Sequence, residues 1–277
     1  MTTLQAALYG LLQGLTEFLP VSSSGHLALA HSFFGVEDME TSAAAFDILL
    51  HFGTLVAVCG VYWRDIWQLI LAFIGMCKDV IDHKGMRVGR DPYRRMCVMV
   101  IISILPLFVI LPIQDQISGV GAYPLAVGFL LWCTAGILYL ADRSKGGHKT
   151  AQSAHFLDAL KVGVAQAFAT LPGISRSGST IAAGMLCGFS KEFAVKFAFI
   201  MSIPAILGAN ILHIGDLMQV SKGQGIPYLV GTLVAAVSGF GAIKLIDFVA
   251  KRKDFRVFSY YCAVIGAAAI LGSFFVK

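Results

Sequence analysis

The sequence predicts an all-α polytopic membrane protein with six transmembrane helices and two re-entrant helix hairpins, arranged as an inverted-topology repeat. Three observations support this prediction: an apolar composition, two apolar segments that are each interrupted by a polar loop, and the similarity of those two loops. Of the 277 residues, 57% are hydrophobic and only 13% are charged, whereas a soluble domain carries about 25% charged residues. The composition therefore excludes an ordinary soluble domain.

The apolar stretches define the predicted spans and hairpins. A helix needs about 20 apolar residues to cross a bilayer. Six stretches satisfy this requirement, namely 43–62, 96–113, 121–141, 192–214, 227–250 and 258–276. Two further apolar segments, 3–34 and 158–190, are interrupted by Pro, Gly and Ser. Irregular backbone persists at membrane depth only where protein buries it or a watery cavity solvates it, so both segments are predicted to be re-entrant hairpins.

The distribution of basic residues predicts the orientation. Lys and Arg cluster in residues 78–95, 143–149 and 251–256, and such clusters favour the cytoplasmic side. All three basic clusters lie on the cytoplasmic side only if both interrupted segments are hairpins. Within a single membrane domain, each half (about 1–141 and about 158–277) then holds one hairpin and three spans. Because three is odd, the halves are inverted, and their loops are expected to meet near the middle of the membrane.

Several other features narrow the interpretation. The apolar stretch 66–77 is too short to span, so it either extends the preceding helix or lies on the cytoplasmic surface. The first Lys or Arg is Arg64, so no signal peptide is expected. The six cysteines show no metal-binding spacing and are expected to be small hydrophobic residues. The net charge of +5 comes mainly from a few loops, and no nucleic-acid partner is expected.

The two interrupting loops are copies of one motif. Residues 13–26 read QGLTEFLPVSSSGH, and residues 166–179 read QAFATLPGISRSGS. Adding 153 to the first numbering gives the second, so that Gln13 corresponds to Gln166. Polar groups are costly inside a membrane and usually mark a functional site. The repeat therefore predicts one site built from both loops.

The first loop combines an acid with hydroxyl groups and an imidazole. Gln13 and Glu17 share a helix face, because they are four residues apart. Their amide and carboxylate oxygens suit Mg²⁺ or Ca²⁺, with substrate or water completing the shell; the alternative for Glu17 is an interfacial glutamate. The loop residues that follow are Ser22, Ser23, Ser24, Gly25 and His26. One serine is expected to cap the next helix, and His26 is either a proton-transfer or nucleophilic group or a core histidine.

The second loop surrounds a cation with hydroxyl groups. Its residues are Ser175, Arg176, Ser177, Gly178, Ser179 and Thr180. A forked guanidinium, loop amides and a helix N-terminus together suit a phosphate. An arginine at the bilayer centre costs roughly 2.5–3.5 kcal/mol, which two or three hydrogen bonds to phosphate of roughly 1.5–3 kcal/mol each would offset. The alternative is that Arg176 forms an ion pair with Glu17. Both interpretations are correct in turn if the ion pair forms first and opens when phosphate binds.

A weaker pair of candidates lies on the span 43–62. Asp47 and His51 are four residues apart and therefore lie one turn apart on the same face. They either line the cavity, where they would orient His26 or a metal as outer ligands, or lie solvated at the outer interface.

The two motifs resemble those of the integral-membrane undecaprenyl-diphosphate phosphatases, the bacitracin-resistance family. Residues 13–26 fit that family's Glu/Gln-x-x-x-Glu plus Pro-Val-Ser-Ser-x-Gly-His signature, and residues 171–180 fit its Pro-Gly-x-Ser-Arg-Ser-Gly-x-Thr signature. The resemblance implies a multi-pass hydrolase of the plasma (inner) membrane that binds a polyisoprenyl diphosphate lipid. It would convert undecaprenyl diphosphate to undecaprenyl phosphate and inorganic phosphate at the periplasmic or outer face, recycling the carrier for peptidoglycan synthesis. It also implies a divalent-metal cofactor.

The resemblance also assigns roles to residues. It implies that Gln13 and Glu17 hold metal or position substrate, that Ser23 and His26 supply the nucleophile and the acid or base, and that Arg176 clamps the diphosphate. The other residues of both loops are expected to bind substrate. The alternative function is a transporter or flippase for an anionic isoprenyl lipid phosphate, since inverted repeats with broken helices are typical of that class. Whether Ser23, His26 or water attacks stays open, as do metal identity, lipid chain length and formation of a homodimer.

Overall fold

The computed structural model describes residues 1–34, 43–144, 147–212, 215, 224–252 and 254–275. Within these ranges the regular secondary structure is helical. The α-helices are α1 (Thr3–Phe18), α2 (Ser23–Phe34), α3 (Ala43–Val61), α4 (Trp63–Ile81), α5 (Pro92–Ile110), α6 (Gln114–Gly119), α7 (Pro124–Arg143), α8 (Phe156–Phe168), α9 (Arg176–Leu186), α10 (Lys191–Leu212), α11 (Gly225–Arg252) and α12 (Arg256–Gly272).

The long apolar helices make this a polytopic membrane protein. Four helical segments are long and apolar enough to cross a bilayer: Pro92–Ala122, Pro124–Arg143, Lys191–Leu212 and Gly225–Lys251. A fifth is added if α3 and α4 count as one bent span, and α12 is apolar but has only 17 residues. Each of the six predicted spans coincides with one helix of the structure, namely α3, α5, α7, α10, α11 or α12. By length and hydropathy, four or five segments of the described residues qualify as spans. The ends of the predicted spans at 213–214 and 276 lie outside the described residues.

Helix α4 differs from the stretch predicted at 66–77. It has 19 residues and lies at 84° to α3, so it is not a straight extension of that helix. One side packs against α5 through Ala72, Met76 and Cys97, while Trp63 and Trp67 are exposed on the other. The apolar window underestimates the helix because its ends carry charged residues. Two of these, Asp65 and Asp79, bond to Tyr93 and Arg94 of α5.

Both interrupted segments fold as two short helices joined by an irregular loop. Helix α1 ends two residues before Pro20 and α8 ends four residues before Pro172; neither proline can donate a backbone hydrogen bond. In the first loop, the Ser22 Oγ accepts a hydrogen bond from the Gly25 N–H at 3.3 Å. In the second, the Ser175 Oγ accepts one from the Gly178 N–H at 3.0 Å. The predicted serine cap is therefore confirmed, and the two loops use it at equivalent positions.

The first helix of each hairpin packs tightly against a helix from the other half of the chain. A Cβ atom added to Gly10 of α1 would lie 2.2 Å from the carbonyl oxygen of Gly231 in α11. A Cβ atom added to Gly163 of α8 would lie 2.3 Å from that of Ser103 in α5. Since 10 plus 153 is 163, both contacts use the same repeat position. Glycine permits these approaches because it has no side chain.

Candidate active site

The loops of the two hairpins contact each other. The Ser22 Oγ accepts a hydrogen bond from the Gly173 N–H at 3.1 Å, and the Ser177 Oγ donates one to the Leu19 carbonyl at 3.0 Å. A Cβ atom on Gly25 would lie 2.9 Å from the Cα of Gly173. Gly173 also has a φ of +106°, which a residue with a side chain rarely adopts. The loops therefore meet, as the repeat predicts.

Ser22, which has a strained backbone conformation, and the buried Thr134 hold the two loops at the point where they meet. Ser22 has a φ of +73°, a left-handed conformation that is uncommon outside glycine and is often found at functional sites. Its Oγ atom bonds to both loops, which offsets part of this strain. On α7, the Thr134 hydroxyl donates to the Gly173 carbonyl at 2.8 Å and accepts from the Ser175 N–H at 3.0 Å. Thr134 was not predicted, because it lies within an otherwise apolar span.

Glu17 is the centre of the hydrogen-bond network. Its side chain is only 3% exposed. One carboxylate oxygen, Oε1, accepts from the Arg176 guanidinium. The other, Oε2, accepts from the Gln13 Nε2 at 3.0 Å and from the Ser23 Oγ at 2.6 Å, and the His51 Nε2 lies 3.8 Å away from it. Two groups predicted for the site, the Ser23 hydroxyl and the Arg176 guanidinium, thus bond to the carboxylate of Glu17, the predicted acid.

His26 is turned away from Ser23. Its Nδ1 lies 2.7 Å from the Ser22 carbonyl, and its Nε2 lies 2.9 Å from the hydroxyl of Tyr261 in α12. The two rings are stacked, with an angle of 8° between their planes. The hydrogen bond of Ser23 therefore goes to Glu17 and not to His26. Tyr261 was not predicted, because no local pattern links it to a residue 235 positions earlier.

A cavity of about 620 Å³ opens beside Glu17. Its lining includes the polar residues Glu17, Ser22, Ser23, Ser24, Asp47, His51, Gln166, Thr170 and Arg176. The rest comes mainly from apolar residues of α5, α6 and α10, including Leu107, Phe108, Ile117 and Ile206, with Gln114, Ser118 and Asn210 among them. Asp47 and His51 line the cavity, and His51 approaches Glu17 rather than His26. The cavity suits a molecule that has a polar head and an apolar tail.

The remaining hydroxyls of the second loop mainly bond within the protein. Ser175 and Ser177 lie 3.2 Å apart through their Oγ atoms, and Thr180 donates to the Arg176 carbonyl at 2.8 Å. Ser179 is buried, and its Oγ has no protein partner. These contacts hold the backbone that presents the Arg176 guanidinium. The cavity of about 620 Å³ is not lined by Ser175, Ser177, Ser179 or Thr180.

Several buried oxygens in this region lack a hydrogen-bond partner in the protein. They include the Gln13 Oε1, beside Glu17, and the Asp47 Oδ1 on α3. Over the described part of the chain, no cluster of three or more His, Cys, Asp or Glu residues is close enough to hold a metal ion. An amide oxygen and a carboxylate, such as those of Gln13 and Glu17, are ligands of the kind that a hard divalent ion takes when substrate or water completes its shell.

Comparisons with known proteins agree with the sequence motifs. The family model described as "Bacitracin resistance protein BacA" matches residues 6–268. A protein of Methanobrevibacter smithii named undecaprenyl-diphosphatase is 40% identical over 277 residues, covering 99% of this chain and 98% of the relative. One of the same name from Alkaliphilus metalliredigens is 41% identical, covering 99% of each. The predicted resemblance is confirmed, and the chain belongs to the bacitracin resistance protein BacA family.

Proposed function

We propose that this protein is an undecaprenyl-diphosphate phosphatase of the plasma membrane. It converts the lipid diphosphate to undecaprenyl phosphate and inorganic phosphate, and so recycles the lipid carrier for cell-wall synthesis. The observation that carries the proposal is the contact of one buried carboxylate, Glu17, with both a hydroxyl and a guanidinium in a cavity whose remaining lining is mainly apolar. The name of its relatives, undecaprenyl-diphosphatase, supports the same substrate.

Substrate binding changes the role of Glu17. Before the substrate binds, Arg176 and Glu17 neutralise each other. A diphosphate carries more negative charge than a carboxylate and offers several oxygens to the guanidinium fork, so Arg176 exchanges Glu17 for the substrate. Glu17 then loses its contact with Arg176 while it still accepts the hydrogen bond from Ser23. It becomes free to take the proton of that hydroxyl.

Ser23 is the residue best placed to attack. As its Oγ forms a bond to the terminal phosphorus, its proton passes to Glu17, and the bond between that phosphorus and the bridging oxygen breaks. Undecaprenyl phosphate leaves with the bridging oxygen. Water then hydrolyses the phosphoserine, which releases inorganic phosphate and restores the Ser23 hydroxyl. Such transfer depends on positioning and on charge stabilisation; the contacts of Ser23 and Arg176 with Glu17 support both.

A divalent cation, Mg²⁺ or Ca²⁺, fits beside these residues. The Gln13 Oε1 and the Glu17 carboxylate would hold it, together with oxygens of the substrate. The support is that the Gln13 Oε1 is buried without a partner, which is unfavourable unless a donor or a cation supplies one. When bound, the ion would neutralise negative charge on the phosphates. Because the protein would supply only two kinds of oxygen ligand, Gln13 and Glu17, the affinity for the ion would depend on the oxygens of the substrate.

The helices form an inverted repeat in this proposal. The first half consists of the hairpin α1–α2 with the spans α3, α5 and α7, and the second consists of the hairpin α8–α9 with α10, α11 and α12. The equivalent serine caps and the reciprocal packing at Gly10 and Gly163 support it. The basic regions favour the cytoplasmic side, so the cavity opens to the periplasmic or outer face.

Phosphate release tests the proposed activity. We expect the purified protein in detergent to release inorganic phosphate from farnesyl diphosphate when Mg²⁺ is present, and EDTA to stop the release. Glu17→Gln should reduce the rate to background, because it removes the proton acceptor while keeping the size of the side chain. Binding of the lipid without release in the wild-type protein would instead favour the alternative, a transporter or flippase for an anionic isoprenyl lipid phosphate.

Arg176 tests the recognition of the diphosphate. We expect Arg176→Lys to lower kcat/KM about 100-fold or more, nearly as much as Arg176→Ala, because a lysine cannot offer two parallel N–H donors. The matched control is Arg95→Lys; Arg95 bonds the carbonyls of Ala151 and Ala154, outside the cavity, so this variant should keep its activity. Near-normal turnover by Arg176→Lys would count against a forked contact.

Ser23 and Glu17 are expected to act as one unit. Ser23→Ala and Glu17→Gln should each reduce kcat to a similar residual level, and the double variant should be no slower than either, because residues that act together are not additive. Steady-state phosphate release from the three variants measures this. If Ser23→Ala keeps substantial activity while Glu17→Gln does not, water attacks the phosphorus instead of Ser23.

Labelling with a membrane-impermeant maleimide tests the orientation. In a variant that keeps Cys77, exposed near the end of α4, as its one cysteine, labelling should require permeabilised cells. In a cysteine-free variant that carries Asp115→Cys on α6, an exposed position, labelling should occur in intact cells, because residues 114–120 lack basic residues and are expected to face outward. The reverse pattern would invert the proposed topology.

A further inference from the structure

Gln166 is a buried amide without a hydrogen-bond partner in the protein. Its exposure is 1%, and neither its Nε2 nor its Oε1 is bonded. It lies on α8 and lines the cavity that Glu17, Ser23 and Arg176 also line. Buried polar groups are almost always paired, and an exception in a native structure requires an explanation. The position of Gln166 suggests that its partner comes from the cavity.

The difference between the two repeats explains why this amide is free. Gln13, the repeat counterpart of Gln166, donates its Nε2 to Glu17 at 3.0 Å. The residue equivalent to Glu17 in the second repeat is Thr170, since 17 plus 153 is 170. The Thr170 hydroxyl donates to the backbone carbonyl of Ala167 at 2.8 Å. The second repeat therefore lacks the carboxylate that would accept the bond, and the N–H donors of Gln166 stay available.

We propose that Gln166 is a further substrate-binding residue, whose Nε2 donates a hydrogen bond to an oxygen of the lipid diphosphate. The inference rests on the proposed phosphatase function and adds a residue to its headgroup site. An amide suits this place because it donates to an anionic oxygen without bringing a charge into the membrane interior. Arg176 is held by Glu17 until the substrate arrives, whereas Gln166 needs to break no bond with the protein. Its donors are thus preorganised for the headgroup.

Replacement by methionine separates substrate binding from a structural role. Gln166→Met keeps the length of the side chain and removes both polar atoms. We expect kcat/KM for farnesyl diphosphate to fall by roughly 10- to 100-fold, the usual effect of losing a hydrogen bond to a charged group. We expect the Tm of the unliganded protein to stay unchanged or to rise, because an unpaired buried amide has been removed. A structural amide would give the opposite result, a lower Tm with kcat/KM retained.

Binding measured without turnover separates this inference from the proposed function. Sodium pyrophosphate should raise the Tm of the wild-type protein by mass action, and this rise should be smaller in Gln166→Met. If the wild-type protein releases no phosphate but Gln166→Met still weakens the response to pyrophosphate, the proposed function fails and the role of Gln166 stands. If both kcat/KM and the response to pyrophosphate are unchanged in Gln166→Met, the role of Gln166 is overturned.

Two further variants complete the test. Thr232→Val is the control, because the Thr232 hydroxyl donates to the Tyr228 carbonyl of its own helix at 2.8 Å and Thr232 does not line the cavity; kcat/KM and the response to pyrophosphate should both be retained. If Gln166→Met does not fold, Gln166→Glu provides the same measurements, since it keeps the shape of the side chain and replaces the donor by an anionic oxygen. It should weaken binding of pyrophosphate more than methionine does, and equal binding by Gln166→Glu and the wild-type protein would contradict the inference.

Discussion

The ion pair between Glu17 and Arg176 is the interaction on which the rest of this structure depends. Each residue belongs to a different hairpin, and an unpaired charge at such a depth would be costly. Neither half of the chain can therefore bury its own charge alone, and the two loops stabilise each other by meeting. In the proposed mechanism, the same pair keeps the site close to neutral until the diphosphate competes for the guanidinium. One contact would then serve both the fold and the binding of phosphate.

Close contact between the loops requires small residues at the crossing point. Gly25 and Gly173 leave room for the two backbones, and Ser22 adopts a left-handed conformation that two hydrogen bonds hold in place. Thr134 satisfies the backbone of the second loop from a neighbouring helix. Irregular backbone in a membrane protein must be satisfied by other protein groups. The hydroxyls at this crossing are therefore as much a structural requirement as a chemical one, which explains why several of them do not face the cavity.

Local signals predicted the elements of this fold well, and distant contacts less well. Apolar length and the breaks at Pro20 and Pro172 located the long helices and the two interrupted helix pairs, because both signals act within a few residues. The full extent of α4 and its bend were missed, because they depend on packing against α5. The partner of Ser23 and the contact of His26 with Tyr261 were missed for a similar reason: they are set by side-chain direction across helices that are distant in sequence.

The chemistry of the site comes from differences between equivalent positions. Subtracting 153 from 176 gives 23, so Arg176 and Ser23 occupy the same place at the start of their helices. Both contact Glu17, one at each carboxylate oxygen. Two identical loops would bring like charges together, whether two acids or two arginines, and like charges repel strongly at short distance. The two loops differ at two equivalent positions, Glu17 against Thr170 and Ser23 against Arg176. These differences replace repulsion by attraction and leave one hydroxyl beside one carboxylate.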